Sequence, residues 1–262
     1  MSDGIGAPVK RKEDKRFTTG KGKYTADVRN DNQAYAAFVR SSYAHAKVNG
    51  IDASAALAMD GVIDVLDGDQ LTGDGIGNLI CGWAISSKDG SPMNMGAWSA
   101  LATEKVRYVG DAVAVVIAES QALARIAAEA VVVDYEELPI AASISAAMAD
   151  GAPQIHENAP GNQIYDWELG DEAATDAGLA SAAHVTTLNI TNNRLSPNPM
   201  EPRSAVATYD DAEDHYTLYT TRQNPHVARL VLSAFYNVAP EHKLRVIAPD
   251  VGGGFGAKIY IY

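Results

Sequence analysis

A β-branched apolar run at residues 113–117, inside KVRYVGDAVAVVIAE, constrains the fold of this chain more than any other segment. A short apolar run of this kind is typical of a buried strand. Ser120 follows as the N-cap of the helical pattern QALARIAAEA, in which Leu123, Ile126 and Ala127 recur at helical spacing. The next segment, VVVDYEEL, returns to strand character. The sequence therefore predicts a strand, a helix and a second strand, with the helix stabilised by docking on the strands.

Length and charge limit the class of protein. The chain has 262 residues, 47% of them hydrophobic, which is enough to bury one large core or two modest ones. Its net charge of -12 argues against a nucleic-acid partner, which requires a basic surface. The sequence contains neither an apolar stretch that could cross a bilayer nor the apolar core of a signal peptide. The chain is therefore expected to be cytoplasmic, without an integral membrane segment.

The sequence offers few side chains that could bind a metal directly. Cys81 is the only cysteine, so an internal disulfide is excluded. The six histidines are scattered without the spacing of a metal site. Cys81 is predicted to be a small, buried apolar side chain. Any metal centre is therefore expected to come with an organic cofactor or to lie on another chain.

A region rich in Ala, Gly, Asp and Pro, residues 140–182, separates two compositional halves. In the first half, RFTTGKGKYTADV predicts a turn at Gly20 and Gly22 followed by an extended run. Other segments with strand patterns are QAYAAFVR in the first half and HVTTLNITNNR, RSAVATYD and HYTLYTT in the second.

A helix is predicted to begin at Pro225, with Asn224 as its N-cap, since proline needs no amide partner at that position. One face of this helix is apolar: Val227, Leu230, Val231, Ala234 and Phe235. Gln223 therefore lies just outside a helix N-terminus, where its carboxamide can donate and accept beside unpaired backbone donors.

The strand pattern HKLRVIAPDV runs directly into the glycines of VGGGFGAK. The sequence does not match the motif of a phosphate-binding P-loop, because Ala257 and Ile259 stand where that motif needs Gly and Ser or Thr. A dinucleotide fingerprint fits Gly252, Gly254 and Ala257 but requires a following helix. A turn between strands and a backbone cradle for an oxyanion or a metal-bound oxygen both remain open.

Six segments, in order, resemble the molybdenum-containing large subunits of the xanthine dehydrogenase and aldehyde oxidase superfamily. They are RFTTGKGKYTADV, VRSSYAHAKVNGID, VRYVGDAVAVVIAES with VDYEELP, NPMEPRSAVATYD, TRQNPHVARLVL and VIAPDVGGGFGAK. The resemblance is closest to the branch of aerobic carbon monoxide dehydrogenase large subunits. It implies an α+β chain with an α/β hammerhead domain at 17–138, a linker at 139–160 and, at 161–262, the N-terminal part of the first molybdopterin-binding domain. Such subunits are much longer, so the chain resembles an N-terminal fragment.

The resemblance also implies the site residues. Gln223 matches the glutamine beside the oxo ligand of molybdenum. The loop whose backbone contacts the same cofactor is matched by Gly253, Gly254, Phe255 and Gly256. The resemblance implies no protein ligand to the metal and no catalytic residue in this chain, because the general base is expected beyond residue 262. Glu201 in NPMEPR is expected to be structural or solvated.

The implied activity is that of a molybdenum hydroxylase, which hydroxylates an N-heterocycle or an aldehyde, or oxidises CO, with oxygen derived from water. Purines are disfavoured, since Ile259 follows Lys258 where purine-oxidising members have an acidic residue. The implied cofactor is molybdopterin cytosine dinucleotide with Mo.

Electrons are expected to leave for 2Fe-2S clusters and FAD on an iron–sulfur small subunit and an FAD-binding medium subunit, in a dimer of heterotrimers. The fragment is expected to be inactive alone, with apolar surface exposed on helix 225–237 and strand 244–249. The alternative hypothesis is a truncated, non-catalytic paralogue that acts as a binding or assembly module.

Overall fold

The computed structural model of the chain describes residues 4–96, 98–193 and 195–260. The strands are β1 (Tyr35–Arg40), β2 (Ala46–Asp52), β3 (Val62–Asp67), β4 (Lys105–Val106), β5 (Ala112–Ala118), β6 (Val132–Glu137), β7 (Ala205–Asp210), β8 (His215–Thr220) and β9 (Leu244–Ile247). The α-helices are α1 (Asp14–Thr18), α2 (Ser54–Leu57), α3 (Gly68–Gly73), α4 (Gln121–Ala130), α5 (Ile144–Ala147), α6 (Glu172–Ser181) and α7 (Pro225–Ala234). This mixture of helices and strands confirms the predicted α+β class.

The chain forms two compact units, one made of Asn32–Leu195 and the other of Met1–Asp31 with Ser196–Tyr262. The first unit contains two antiparallel sheets, with strand orders β1-β5-β3 and β4-β2-β6. Strand β5 is central in its sheet, and Val113, Ala114 and Val116 are fully buried. The apolar run that dominates the sequence therefore forms the buried centre of a sheet, as predicted.

Helix α4 begins where the sequence predicts. The Ser120 hydroxyl accepts a hydrogen bond from the Leu123 amide at 3.2 Å, which satisfies one of the unpaired donors of the first turn. Ala127 is fully buried in the core that α4 shares with β3 and β5. The predicted helix is thus held by its cap and by its apolar face against the sheet.

The second unit contains a mixed sheet of order β7-β8-β9, in which β8 pairs antiparallel with β7 and parallel with β9. Helix α7 is the crossover between the parallel strands. Pro225 is its first residue as predicted, but the Asn224 side chain makes no capping hydrogen bond. Val227 and Leu230 are 47% exposed, which agrees with the apolar surface expected on this helix.

Two segments that were predicted to be extended have a different conformation in the structure. The segment 184–193 is exposed and irregular, and no backbone hydrogen bond pairs it with a neighbouring strand among the described residues; Arg194, at the end of the pattern, lies outside them. A segment with strand propensity forms a strand only where it pairs with a neighbouring strand. The predicted extended run after Gly22 is instead a 3-10 turn, Thr25–Asp27, preceded by α1.

The compact units do not follow the predicted domain bounds at every point. Residues 17–31 cluster with the unit that contains the glycine loop, whereas 161–195 cluster with the sheets of the other unit. Residues 139–160, predicted as a linker, contain α5 and are held by side chains: Arg107 Nε donates to the Ile155 carbonyl at 3.1 Å. Over the described residues, no helix combines the length and apolarity needed to span a membrane.

Candidate functional site

The glycine segment forms a tight loop after β9. The φ angles of Gly253 (101°), Phe255 (52°) and Gly256 (86°) are positive, in the region that side chains with a Cβ rarely adopt. Phe255 is the unusual member, because it is not glycine and its side chain is 75% exposed. The other non-glycine residues with positive φ angles are Asn or Asp, which tolerate this conformation, whereas a bulky residue such as Phe255 is strained by it.

Glu201 holds the start and the end of the loop together. Its Oε2 accepts a hydrogen bond from the Gly252 amide at 2.6 Å and lies 3.2 Å from Nζ of Lys258. Lys258 is only 1% exposed, so its charge is buried against this carboxylate. A Cβ on Gly252 would lie 2.5 Å from Cβ of Glu201, which explains the need for glycine there. Glu201 therefore holds the loop through Oε2.

Gln223 holds the middle of the loop. Its Oε1 accepts hydrogen bonds from the amides of Gly256 at 2.9 Å and Lys258 at 3.4 Å. A Cβ on Gly254 would lie 2.5 Å from both Cδ and Oε1 of Gln223. The structure thus brings Gln223 together with the glycine loop, as the resemblance implies, although more than 25 residues separate them in sequence.

The loop leaves several donors available. Among the described residues, the amides of Gly253, Gly254 and Phe255 make no backbone or side-chain hydrogen bond, and neither does Nε2 of Gln223. Because Oε1 of Gln223 is used by the loop, the NH₂ group of this exposed residue is left as an unused donor. These donors can together stabilise an anion or a metal-bound oxygen.

Two further residues that shape the loop were not identified from the sequence. Nη2 of Arg203 donates to the Ala257 carbonyl at 2.7 Å. Asp250 accepts from the Lys23 amide at 2.8 Å and pairs with the guanidinium of Arg16, and these contacts, the Lys23 amide first, lower the pKa of Asp250. Arg203 and Asp250 lie within the segments NPMEPR and APDVGGGFGAK, but their partners are distant in sequence.

The structure removes one interpretation of the glycines. Residues after Lys258 form turns rather than a helix up to residue 260, so the dinucleotide fingerprint lacks its helix within the described residues. No group of three His, Cys, Asp or Glu side chains in the described parts of the chain could hold a metal ion. Cys81, predicted to be buried, is exposed, because it lies in an irregular segment outside both cores.

Two family descriptions match the sequence in succession. Residues 19–139 match the a/b hammerhead domain of aldehyde oxidase and xanthine dehydrogenase. Residues 155–262 match the molybdopterin cofactor-binding domain. The glycine loop and Gln223 lie in the second match.

Curated relatives include the carbon monoxide dehydrogenase large chain of Afipia carboxidovorans, which is 38% identical over 99% of this chain and 32% of the relative. The nicotine 6-hydroxylase large subunit of Paenarthrobacter nicotinovorans is 34% identical over 98% of this chain and 30% of the relative. The chain thus spans about a third of the length of these relatives.

Solved structures of molybdenum-enzyme relatives also resemble this chain. A crystal structure of Cu,Mo-CO dehydrogenase superposes with a TM-score of 0.84 at 38% identity, covering 99% of this chain and 33% of that one. Quinoline 2-oxidoreductase from Pseudomonas putida 86 superposes with a TM-score of 0.81 at 34% identity, covering 97% of this chain and 31% of that one.

Proposed function

The chain belongs to the xanthine dehydrogenase and aldehyde oxidase superfamily, in the group of its molybdenum-cofactor large subunits, and on this premise we propose that it binds a molybdopterin cofactor through Gln223 and the loop 253–256. The observation that carries this proposal is the set of unpaired donors, three consecutive loop amides and the Gln223 NH₂ group. Fixed donors of this kind suit the oxygen atoms of an oxometal group or a phosphate.

In this proposal, the residues of the chain position and polarise the bound cofactor and do not themselves react. Glu201 and Lys258 fix the two ends of the loop, and Gln223 fixes its middle, so the amides of 253–255 need no rearrangement to bind. The Gln223 NH₂ group would donate a hydrogen bond to an oxygen atom of the bound group. The cofactor supplies the redox chemistry when it is bound, as is general for such enzymes.

Within the superfamily, the proposed reaction is hydroxylation of an N-heterocycle or an aldehyde with oxygen from water, or oxidation of CO. The names of the relatives support this range, since they include a carbon monoxide dehydrogenase and a nicotine 6-hydroxylase. The cofactor is proposed to be the cytosine dinucleotide form. The proposed location is the cytoplasm, and the proposed partners are an iron–sulfur subunit and an FAD subunit in a dimer of heterotrimers.

The chain alone is proposed to be inactive. A hydroxylase needs a carboxylate free to accept a proton beside the reacting atom. Glu201 is the carboxylate that contacts the loop, and its Oε2 is engaged by the Gly252 amide and by Lys258. Its other oxygen, Oε1, is buried and has no hydrogen-bond partner among the described residues. The engagement of Oε2 with the loop supports the proposal that Glu201 is not that base.

The test is to produce the chain in a host that makes molybdopterin cofactors and to measure molybdenum by mass spectrometry and CMP after acid hydrolysis. We expect both to co-purify with the chain and both to decrease in Gln223→Ala, while the exposed control Gln121→Ala retains them. Absence of molybdenum and CMP from the folded parent chain would contradict the proposal and favour the assembly-module alternative. Turnover of CO, quinoline or benzaldehyde by the isolated chain would contradict the proposed inactivity.

A further inference from the structure

Arg203 contacts the peptide group that joins residues 257 and 258, just after the glycine loop. Its Nη2 donates to the carbonyl of Ala257 at 2.7 Å, and its Nε donates to the same oxygen at 3.3 Å. Two donors from one planar guanidinium restrain the rotation of the peptide group as well as its position. The amide nitrogen of the same group, that of Lys258, donates to Oε1 of Gln223 at 3.4 Å. Arg203 and Gln223 are therefore connected through a single peptide group.

The register of the second sheet brings Arg203 and Gln223 to the same place. The first residue of β7 pairs with the last residue of β8. Arg203 lies just before β7 and Gln223 just after β8, so both lie at this end of the strand pair. The pairing continues past the strands, because the Thr221 amide donates to the Ser204 carbonyl at 3.1 Å. The position of Arg203 beside the loop is thus a consequence of the sheet.

The carboxamide of Gln223 has one orientation, because only its oxygen can accept a hydrogen bond from an amide. Oε1 accepts from Gly256 at 2.9 Å as well as from Lys258, so the NH₂ group is the end left for a ligand. In the flipped orientation the NH₂ group would meet these two donors, and an oxygen would be presented to the ligand. An oxyanion or a metal-bound oxygen would then be repelled.

The bond from Lys258 is the weaker of the two that hold Oε1. Its length of 3.4 Å exceeds the roughly 2.7–3.2 Å that is usual for such bonds. Hydrogen bonds in a chain polarise one another, and bonds that involve an ionised group are the stronger ones. A guanidinium on the Ala257 carbonyl therefore makes the Lys258 amide a better donor. Loss of the guanidinium weakens this donor and frees the peptide group to rotate.

We propose that Arg203 is a positioning residue, which acts through the 257–258 peptide group to keep the NH₂ end of Gln223, and not its oxygen, available to the cofactor. This inference rests on the proposed function, because the Gln223 NH₂ group is one of the donors proposed to bind the cofactor. Residues that orient a group of a metal site without touching the metal typically change metal affinity by roughly 10–100-fold when they are replaced.

Three variants test the role of Arg203. Arg203→Met keeps a long side chain without a donor, and Arg203→Lys keeps a charged donor without the planar fork. Arg229→Met is the matched control, because Arg229 lies on α7 in the same unit and pairs with Glu241 at 2.7 Å. Circular dichroism and urea unfolding show whether each variant is folded and how stable it is.

The first measurement needs no cofactor. NMR of the isotope-labelled chain records the side-chain NH₂ signal of Gln223, assigned by its loss in Gln223→Ala, and hydrogen exchange at the amides of Gly256 and Lys258. We expect Arg203→Met to shift the NH₂ signal and to accelerate exchange at both amides about tenfold. Arg203→Lys should give intermediate values, and Arg229→Met should match the parent.

The second measurement is the molybdenum content of the same variants, produced in a host that makes molybdopterin cofactors. We expect a loss of about tenfold in Arg203→Met, a smaller loss in Arg203→Lys and the parental content in Arg229→Met. Absence of molybdenum from the folded parent would contradict the proposed function. The NMR measurement would then decide by itself whether Arg203 orients Gln223.

A role confined to stability predicts a different result. Arg203→Met would then lower the urea midpoint and accelerate exchange evenly through β7 and β8, while the Gln223 NH₂ signal stays at its parental position. That result would overturn the proposal. Parental molybdenum content in a folded Arg203→Met chain whose NH₂ signal has moved would overturn it too, since the orientation of Gln223 would have no effect on the cofactor.

Discussion

At the scale of single residues, the glycines of the loop are required for two different reasons. Gly253 and Gly256 adopt positive φ angles, so a side chain there would strain the backbone. Gly252 and Gly254 are required for space, because a Cβ would collide with Glu201 in the first case and Gln223 in the second. The motif is therefore specified as much by the two side chains that pack against it as by its own conformation.

Gly254→Ala tests the steric requirement. The new methyl group must displace Gln223, with loss of the hydrogen bond from Gly256, and we expect a destabilisation of about 1–3 kcal/mol. Urea unfolding monitored by circular dichroism gives the value. Gly178→Ala is the control, since its position in exposed α6 has open space and alanine is expected to stabilise a helix by up to about 1 kcal/mol. Equal stability of Gly254→Ala and the parent would contradict the geometry.

A second prediction at this scale concerns the ion pair between Glu201 and Lys258. Lys258 is buried, so Glu201→Gln leaves its charge without a counterion and should cost about 3–5 kcal/mol of unfolding free energy. Lys258→Met removes the buried charge as well, and the double variant Glu201→Gln/Lys258→Met should recover part of this loss. Additive effects in a double-mutant cycle, measured by urea unfolding, would show that the two side chains are not coupled.

At the scale of elements, short β4 is held by charged side chains as well as by its ladder. Lys105, in β4, and Arg107, just after it, both contact the carboxylate of Glu157. The hydrogen bond from Lys105 is the largest cause that lowers the pKa of Glu157 to about 2. Residues 155–157 are thereby attached to the sheet edge, although their composition suggested a linker.

This attachment should depend on pH. Because the folded pKa of Glu157 lies below its ordinary value of 4.5, the carboxylate stabilises the fold above about pH 4.5, and the contribution is lost as the pH falls toward 2. Glu157→Gln should therefore have a lower urea midpoint than the parent at pH 7, and the difference should shrink at pH 3. Glu129→Gln, on the exposed face of α4, is the control. A difference independent of pH would contradict the assignment, which NMR titration of the carboxyl group can check directly.

At the scale of the whole molecule, the unit with the glycine loop is built from both ends of the described chain. Asp250, between β9 and the loop, binds Arg16 and the amide of Lys23, more than 220 residues away. The Asp250 amide in turn donates to the Lys23 carbonyl at 2.9 Å. The N-terminal residues therefore stabilise the position from which the loop starts.

Asp250→Asn should loosen this closure, because it weakens the pairing with Arg16. We expect faster amide hydrogen exchange in β9 and in residues 252–258, with no change in β5 of the other unit. Asp134→Asn, a change of the same kind in β6, is the control. Unchanged exchange around the loop would show that Asp250 has no role in holding it.

The sequence by itself determined the elements whose information is local. The run at 113–117 is apolar and β-branched enough to be a strand, and Ser120 caps α4 through an amide three residues away. The segment 184–193 has the same strand-forming composition but lacks a paired neighbour, so its propensity produced no strand.

Only the tertiary structure decided how the loop is held and which of its donors remain available. Gln223, Glu201 and Asp250 meet the loop or its anchor through contacts between residues distant in sequence, and no local pattern encodes such contacts. A glycine run indicates that another group approaches the backbone closely. The identity of the approaching side chains, and therefore the donors left for a ligand, depends on packing in three dimensions.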